Sequence, residues 1–428
     1  MSGVPWVLTC VSCGTSFPGL EVRYRCTCGD VLDVVHDDAP LDPSMRARFD
    51  ERRGSLDPID RSGVWRFREL VLPLAREHVV TRPEGNTNLY ASPALGAWCG
   101  AKDLRLKHEG ENPTGSFKDR GMTVGVSVAK RLGMTAVACA STGNTSASMA
   151  AYAAAAGMRA FVFIPEGAVA LGKLAQALAY GARTIQIAGD FDAAMALVER
   201  VCTERGVYLL NSINPFRIEG QKAIAFELLQ DLGWSVPDWI VVPGGNLGNS
   251  SAIFKGLDEL HRHGLIPRRP KIAVIQARGA NPFYRAFAAQ ADLVPLTGAE
   301  TLATAIRIGN PVSWRKSLRG VLATGGVVDE VTDQEIMDAK AQVDASGIGA
   351  EPASCASVAG LRKLVARGVI GRSESVCAIL TGHVLKDPEA TLRYHQGALD
   401  RIRSTYANAP VAAAATLEAV VAAMENAT

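Results

Sequence analysis

Residues 136–155 read AVACASTGNTSASMAAYAAA. A run of small and β-branched residues, Ala136 to Ala140, passes through Ser141-Thr142-Gly143-Asn144-Thr145 into an alanine-rich stretch expected to be helical from about Ser146. A buried strand leading through a polar loop into a helix is the unit of a parallel sheet with crossover helices. Its loop leaves the carboxyl end of the strand, where ligands of such folds bind. The loop hydroxyls and free backbone N–H groups suit an anion such as a carboxylate. An ordinary capped junction would use the same hydroxyls, but Asn144 adds an amide beyond what capping needs.

The unit recurs outward from this stretch. Strands are predicted at Phe161 to Ile164, Thr184 to Ile187 and Val207 to Leu210, with helices around Leu174 to Tyr180 and from Phe191. A second series runs helix Gly220 to Leu232, strand Ile240 to Val242, a glycine-rich turn, a helix to about His263, and strands Ile272 to Ile275 and Val376 to Leu380. Two series predict an α/β protein with two open, mostly parallel sheets and flanking helices. The alanine-rich end, Val411 to Met424, is expected to be a docked terminal helix.

Composition narrows the function classes. The 428 residues are 48% hydrophobic and 21% charged, as expected of an enzyme-sized folded chain of two or three domains. Lys and Arg number 45 against 43 Asp and Glu, so no global field recruits nucleic acid or an anionic membrane. The longest apolar run, Met149 to Met158, falls far short of the roughly 18 residues of a membrane-spanning helix. The first residues show no basic then apolar secretory pattern, so the expected compartment is the cytoplasm.

Four cysteines crowd the start as Cys10-x-x-Cys13, twelve residues, then Cys26-x-Cys28, a spacing by which two turns present four thiolates to one zinc ion. With every position taken by thiolate such a metal would be structural, closing a zinc-ribbon-like segment too short to hold its own core. Nucleic-acid binding by it is discounted, because Glu21, Asp30, Asp33, Asp37 and Asp38 outnumber Arg23 and Arg25. The scattered Cys99, Cys139, Cys202, Cys355 and Cys377 read as buried small hydrophobes.

Three more loops carry chemistry. Asn112 to Arg120, NPTGSFKDR, reads as a turn with Ser116 a candidate N-cap, which places Lys118 in the first helical turn. There the helix dipole lowers its pKa and favours a free amine able to bond an aldehyde; a solvated lysine balanced by Asp119 is the plainer alternative. Pro243 to Asn249, PGGNLGN, follows a strand, and its glycines let successive N–H groups converge on a phosphate at a helix start. It is neither G-x-G-x-x-G nor a Walker loop, and a ligand-free tight turn would look similar. Thr381-Gly382-His383 ends the last strand and could offer a hydroxyl to a ring nitrogen; His383 is given no catalytic role. An amine, a phosphate cradle, an amide loop and a terminal threonine together are what pyridoxal phosphate needs from a protein.

These residues resemble the threonine synthases, pyridoxal-phosphate enzymes of the fold type II (tryptophan synthase β-like) family, in their zinc-ribbon-bearing form. The resemblance rests on NPTGSFKDRGM (Asn112 to Met122), STGNTSAS (Ser141 to Ser148), NSINPFRIEGQK (Asn211 to Lys222), IRIGNPVSW (Ile306 to Trp314), EPAS (Glu351 to Ser354) and TGHVLKDP (Thr381 to Pro388). It implies that Lys118 is the Schiff-base lysine and catalytic residue. Asn144 would partner the cofactor's phenolic oxygen, Gly245, Asn246, Leu247, Gly248 and Asn249 would form the phosphate cradle, and Thr381 would face the pyridine nitrogen. Ser141, Thr142 and Thr145 would hold the substrate carboxylate, and Ser212 and Arg217 its phosphate. The implied reaction converts O-phospho-L-homoserine and water to L-threonine and phosphate in a homodimer.

The expected organisation is a zinc-ribbon-like segment at 1–40, a large cofactor-binding domain of 41–107 and 215–428, and a small substrate-binding domain of 108–214. Asn88, Gly244 and Val384 depart from the family's usual proline, valine and glycine. They keep open a related enzyme acting on another phosphorylated or phosphonate amino acid. A non-catalytic α/β binding protein would instead make Lys118 merely structural.

Overall fold

The computed structural model describes residues 4–37, 41–42, 44–166, 174–188 and 191–425, the side chains of 191–196 excepted. β1 (Trp6–Cys10), β2 (Ser16–Pro18) and β3 (Leu32–His36) make a small antiparallel sheet of order β2-β1-β3. β4 (Leu89–Ala91) and β5 (Asp103–His108) then open a second sheet. The chain leaves it to build a third from β6 (Ala136–Ala140), β7 (Arg159–Pro165), β8 (Arg183–Ile187) and β9 (Tyr208–Leu209). It returns with β10 (Trp239–Pro243), β11 (Lys271–Ala277), β12 (Val327–Val331) and β13 (Ser375–Leu380).

The second sheet has the order β12-β11-β10-β13-β5-β4, parallel except for the edge strand β4, and the third is parallel throughout in the order β8-β7-β6-β9. The two open mostly parallel sheets read from the sequence are therefore both present. Burial explains their composition: every residue of β10 is buried, and Ala136 to Cys139 of β6 are too, because helices cover both faces.

Each sheet has one place where the strand order reverses. After β10 the chain moves to one side, through β11 and β12, while β13 lies on the other; after β6 it moves out through β7 and β8, and β9 returns to the opposite side. Loops leaving the carboxyl ends of strands on either side of a reversal diverge and leave a crevice between them. The loops so placed are 244–247 and 381–383 in one sheet, and 141–143 and 210–215 in the other. They include three of the stretches in which the sequence places its chemistry; the Lys118 turn follows β5, the neighbour of β13.

Three local expectations need correction. The helix predicted from Gly220 to Leu232 begins earlier and is divided into Phe216–Gln221 and Ala223–Asp231. The turn tightens at Lys222, whose side chain is drawn inward to Glu219 and Glu259. The alanine-rich end is helical only over Leu417–Glu425, and Leu417, Val421 and Met424 are exposed, so it is not docked on the body of the chain. Alanine supplies helix propensity but too little apolar area to hold a terminal helix down. The third correction, at Ser116, belongs to the site.

Candidate active site

Lys118 is the first residue of the helix Lys118–Arg131, and the turn before it is fastened to the end of β13. Phe117 N–H donates to the Thr381 carbonyl at 3.1 Å, and His383 N–H donates to the Gly115 carbonyl at 3.0 Å. The N-cap is Phe117 with no side-chain cap, so Ser116 is not the cap expected from sequence; its hydroxyl is buried without a partner. Pairing of this turn with β13 takes Ser116 out of capping geometry, since Ser116 bridges Gly382. Burial pushes the Lys118 amine down to about 7, and the Arg217 charge adds to the effect. Near neutrality much of it is therefore an unprotonated nucleophile.

Arg217 stands on the neighbouring helix Phe216–Gln221, which meets the Lys118 helix backbone to backbone. A Cβ on Gly220 would lie 1.7 Å from the Arg120 carbonyl oxygen, so only glycine permits this crossing. Arg217 is buried, donates from Nη1 to the Leu210 carbonyl at 3.1 Å, and leaves its Nε unpartnered. Desolvation lowers its pKa to about 10, which keeps it charged at neutral pH. The Lys118 amine and the buried Arg217 guanidinium thus lie close enough for one charge to act on the other, an arrangement that favours an anion between them.

The cradle follows β10. Leu247 adopts φ 63° and ψ 6°, a left-handed conformation rare for a branched side chain, and the helix Gly248–Arg262 starts after it with no side-chain cap. Its first N–H groups are left for a ligand, and the helix dipole favours a negative one. Asn249 supports this most directly, because both its amide nitrogen and its amide oxygen are buried without a partner. Asn246 is otherwise engaged: it donates to Ser212 Oγ at 2.9 Å and accepts from Val312 N–H at 2.9 Å, tying the 210–215 loop to the cradle.

On the other side of the crevice Asn144 Nδ2 donates to the Glu351 carboxylate at 3.1 and 3.2 Å. Glu351 is buried beside Lys118 and Lys386, and desolvation raises its pKa. The Thr381 hydroxyl lies 2.9 Å from Ser354 Oγ, which also accepts from Gly382 N–H at 2.8 Å. Ser141, Thr142 and Thr145 are half-buried in the loop after β6. Glu351 and Ser354 are the residues that the site reading missed. Both stood inside the EPAS stretch, a proline-led helix start, but nothing local tells such a carboxylate from a capping one.

Beneath the Lys118 helix lies a buried ion cluster. Arg120 pairs with Glu109 at 2.6 Å and Glu227 at 2.7 Å; Glu227 also receives Arg66 at 2.7 Å and Lys107 at 2.8 Å, and Lys107 meets Asp231 at 2.6 Å. The three cations hold the Glu227 carboxyl well below the usual range. At the buried centre three basic and three acidic groups balance, with half-exposed Arg53 on Asp231 at 2.8 Å, so the cluster fixes the helix start without asking for a ligand.

The donor set fits pyridoxal phosphate: a depressed amine for the aldehyde, an uncapped helix start with an orphaned amide for the phosphate, and a hydroxyl at a strand end for the ring nitrogen. At the amino-terminal end the four cysteine sulfurs lie within 4.8 Å of one another, with Cys10–Cys28 at 3.4 Å and Cys13–Cys26 at 3.5 Å. Zn–S bonds of about 2.3 Å in a tetrahedron put sulfurs roughly 3.8 Å apart, so the cluster suits zinc. The other five cysteines are buried, as expected.

The three departures from the family pattern concern scaffold. Asn88 is exposed and bonded to Glu111; a Cβ on Gly244 would sit 2.8 Å from Val274; and Val384 packs 3.3 Å from the Cβ position of Gly349. Among the described residues no helix is long and apolar enough to cross a membrane.

Comparison with known proteins agrees with the geometry. Residues 80–382 match the family model of pyridoxal-phosphate dependent enzymes. The threonine synthase of Methanocaldococcus jannaschii is 48% identical, with 90% of this chain and 94% of the relative aligned. That of Methanosarcina acetivorans is 50% identical, over 90% and 93%. Among solved structures, threonine synthase from Escherichia coli superposes with a TM-score of 0.69 at 16% identity, covering 99% of this chain and all of that one (100%), a likeness of fold.

Proposed function

The chain belongs to the pyridoxal-phosphate-dependent enzymes and, within them, to the threonine synthases, and we propose from that premise how its residues share the work. The reaction converts O-phospho-L-homoserine and water to L-threonine and phosphate. Over the cycle the Cγ–O bond breaks, phosphate leaves, Cγ gains a proton, and water places its hydroxyl on Cβ. Pyridoxal phosphate supplies the electron sink for negative charge at the substrate carbons.

Lys118 would hold the cofactor's aldehyde carbon, and its amine, with a pKa brought down to about 7, would then carry protons at Cα and Cβ. Gly245, Asn246, Leu247, Gly248 and Asn249 would bind the cofactor phosphate through backbone N–H groups and the Asn249 amide. Asn144, oriented by Glu351, would meet the phenolic oxygen, and Thr381 the ring nitrogen. Ser141, Thr142 and Thr145 would take the substrate carboxylate. Arg217 and Ser212 would take its phosphate and keep it after release, as the base for water attack at Cβ. In this reading the division into 1–40, 41–107 with 215–428, and 108–214 would set these contacts on both sides of the crevice.

The observation that carries this reading is the pairing of a depressed Lys118 amine with a buried, half-satisfied Arg217. The test is the visible spectrum of the purified protein followed by addition of O-phosphohomoserine. A violet band, phosphate release and threonine as product are expected. A band without release would sink the substrate, and no band after adding pyridoxal phosphate would sink the whole assignment. Structural zinc on Cys10, Cys13, Cys26 and Cys28, a homodimer and a cytoplasmic setting complete the proposal. A reducing compartment keeps the exposed Cys13 and Cys28 free to bind metal, and sedimentation tests the dimer.

A further inference from the structure

The loop between β9 and Arg217 is held at both ends by the amino-terminal three-stranded segment. At its start, Leu209 N–H donates to the Tyr24 hydroxyl at 2.8 Å, and the Tyr24 ring packs on Tyr208 with centroids 5.9 Å apart. At its end, Glu219, fully buried two residues beyond Arg217, lies 2.6 Å from His36 Nε2 of β3. Arg217 itself reaches back to the Leu210 carbonyl, so the two anchors enclose one closed turn of chain.

The second anchor is a charge lock. Behind Glu219 sit three lysines, two of them buried: Lys222, 2.6 Å from Glu219 and 2.7 Å from Glu259; Lys316; and the partly buried Lys255, bonded to Glu219. β3 completes their coordination. Asp33 lies 3.4 Å from Lys255 and 3.3 Å from Lys316, the Leu32 carbonyl accepts from Lys316 at 2.7 Å, and the Val34 carbonyl accepts from Lys255. Without β3 three ammonium groups would share two glutamates in a low-dielectric recess. His36, Glu219 and Glu259 could by geometry hold a metal, but the Lys222 ammonium already stands among them, 3.4 Å from His36.

We propose that this segment is a brace for the substrate-phosphate loop: Tyr24 and His36 are positioning residues that pre-set Arg217 for the phosphate through Leu209 and Glu219. A pre-set arginine binds without the ordering cost that a free loop would carry. The proposal rests on the assignment of Arg217 to the substrate phosphate.

The test uses the holoenzyme with its own metal content and two variants, Tyr24→Phe, which removes one hydroxyl, and His36→Gln. Inorganic phosphate is titrated calorimetrically, because the cofactor already fills the cradle, and KM and kcat are measured alongside the melting temperature. Phosphate affinity is expected to fall about fivefold to tenfold with KM rising in step, while kcat stays within about twofold and the cofactor spectrum is unchanged. Wild-type phosphate affinity in both variants would overturn the brace, as would a fall in kcat that tracks melting temperature with KM unmoved. Arg217→Ala separates the premises. If it abolishes phosphate binding while the ribbon variants do not weaken it, only the brace fails; if it leaves phosphate binding intact, the assignment of Arg217 fails and the brace with it.

Discussion

Two clusters of buried polar groups flank the Lys118 helix, and they differ in whether their bonds are satisfied. Around Glu227 nearly every donor and acceptor has a partner inside the protein, with one N–H of Arg66 left over. In the crevice the Asn249 amide, Arg217 Nε and Ser116 Oγ have none. A saturated ion cluster holds shape and has nothing left to bind with, whereas an unsaturated one carries a desolvation cost that a ligand can relieve. In the proposed reading, stability rests on one cluster and recognition on the other.

Substitutions should separate the two. Lys118→Ala should remove turnover, by on the order of 10⁴-fold or more, while leaving the denaturation midpoint near the wild-type value; rapid phosphate release by that variant would end the catalytic role of Lys118. Glu227→Gln should do the reverse, lowering unfolding free energy by roughly 3–5 kcal/mol because it leaves buried Arg66 with no carboxylate and takes one of two from Lys107 and Arg120, as urea denaturation would show. Arg217→Ala should lower kcat/KM for the phosphorylated substrate by roughly a hundredfold. If it instead destabilised the fold as much as Glu227→Gln does, the contrast between the clusters would collapse.

Smaller effects sharpen the comparison. Asn249→Ala should weaken pyridoxal phosphate about tenfold and change the stability of the cofactor-free protein by less than about 1 kcal/mol, since it removes groups that bond nothing. The rate at which the cofactor-free protein takes up pyridoxal phosphate should rise with pH through about 7, because Lys118 attacks only when deprotonated and its pKa is depressed to that value. Arg217→Gln removes a neighbouring positive charge, so the Lys118 pKa should rise and the same profile should shift to higher pH. A flat profile would show that the amine is not the titrating group. Finally, metal analysis should give one zinc per chain, and Cys13→Ser with Cys28→Ser should lower that figure.

Local pattern made much of this legible. β6, β10 and β13 are short apolar runs followed by polar or glycine-rich loops, and period and punctuation alone place them. Other elements gave weaker signals. β12 mixes Asp329 and Glu330 among its valines because Lys363 and Arg367 pair with Asp329 from another element, a compensation that no sequence window contains. The terminal helix misled for a different reason: its alanine-rich run promised a docked helix from Val411, but only Leu417–Glu425 is helical and its large apolar side chains are exposed.

By itself the sequence determined the α/β class, the loops at strand ends and the cysteine quartet, because each depends on residues close together in the chain; the depressed pKa of Lys118 instead comes from burial and the distant Arg217 charge rather than from the helix dipole expected there. Tertiary structure alone decided that Asn144 answers to Glu351, that the Ser116 hydroxyl does not cap its helix, and that β3 closes three lysines behind Arg217. Those contacts join residues up to 284 positions apart, as in Leu32 with Lys316. Their energies come from burial and charge, which exist only once the chain has folded.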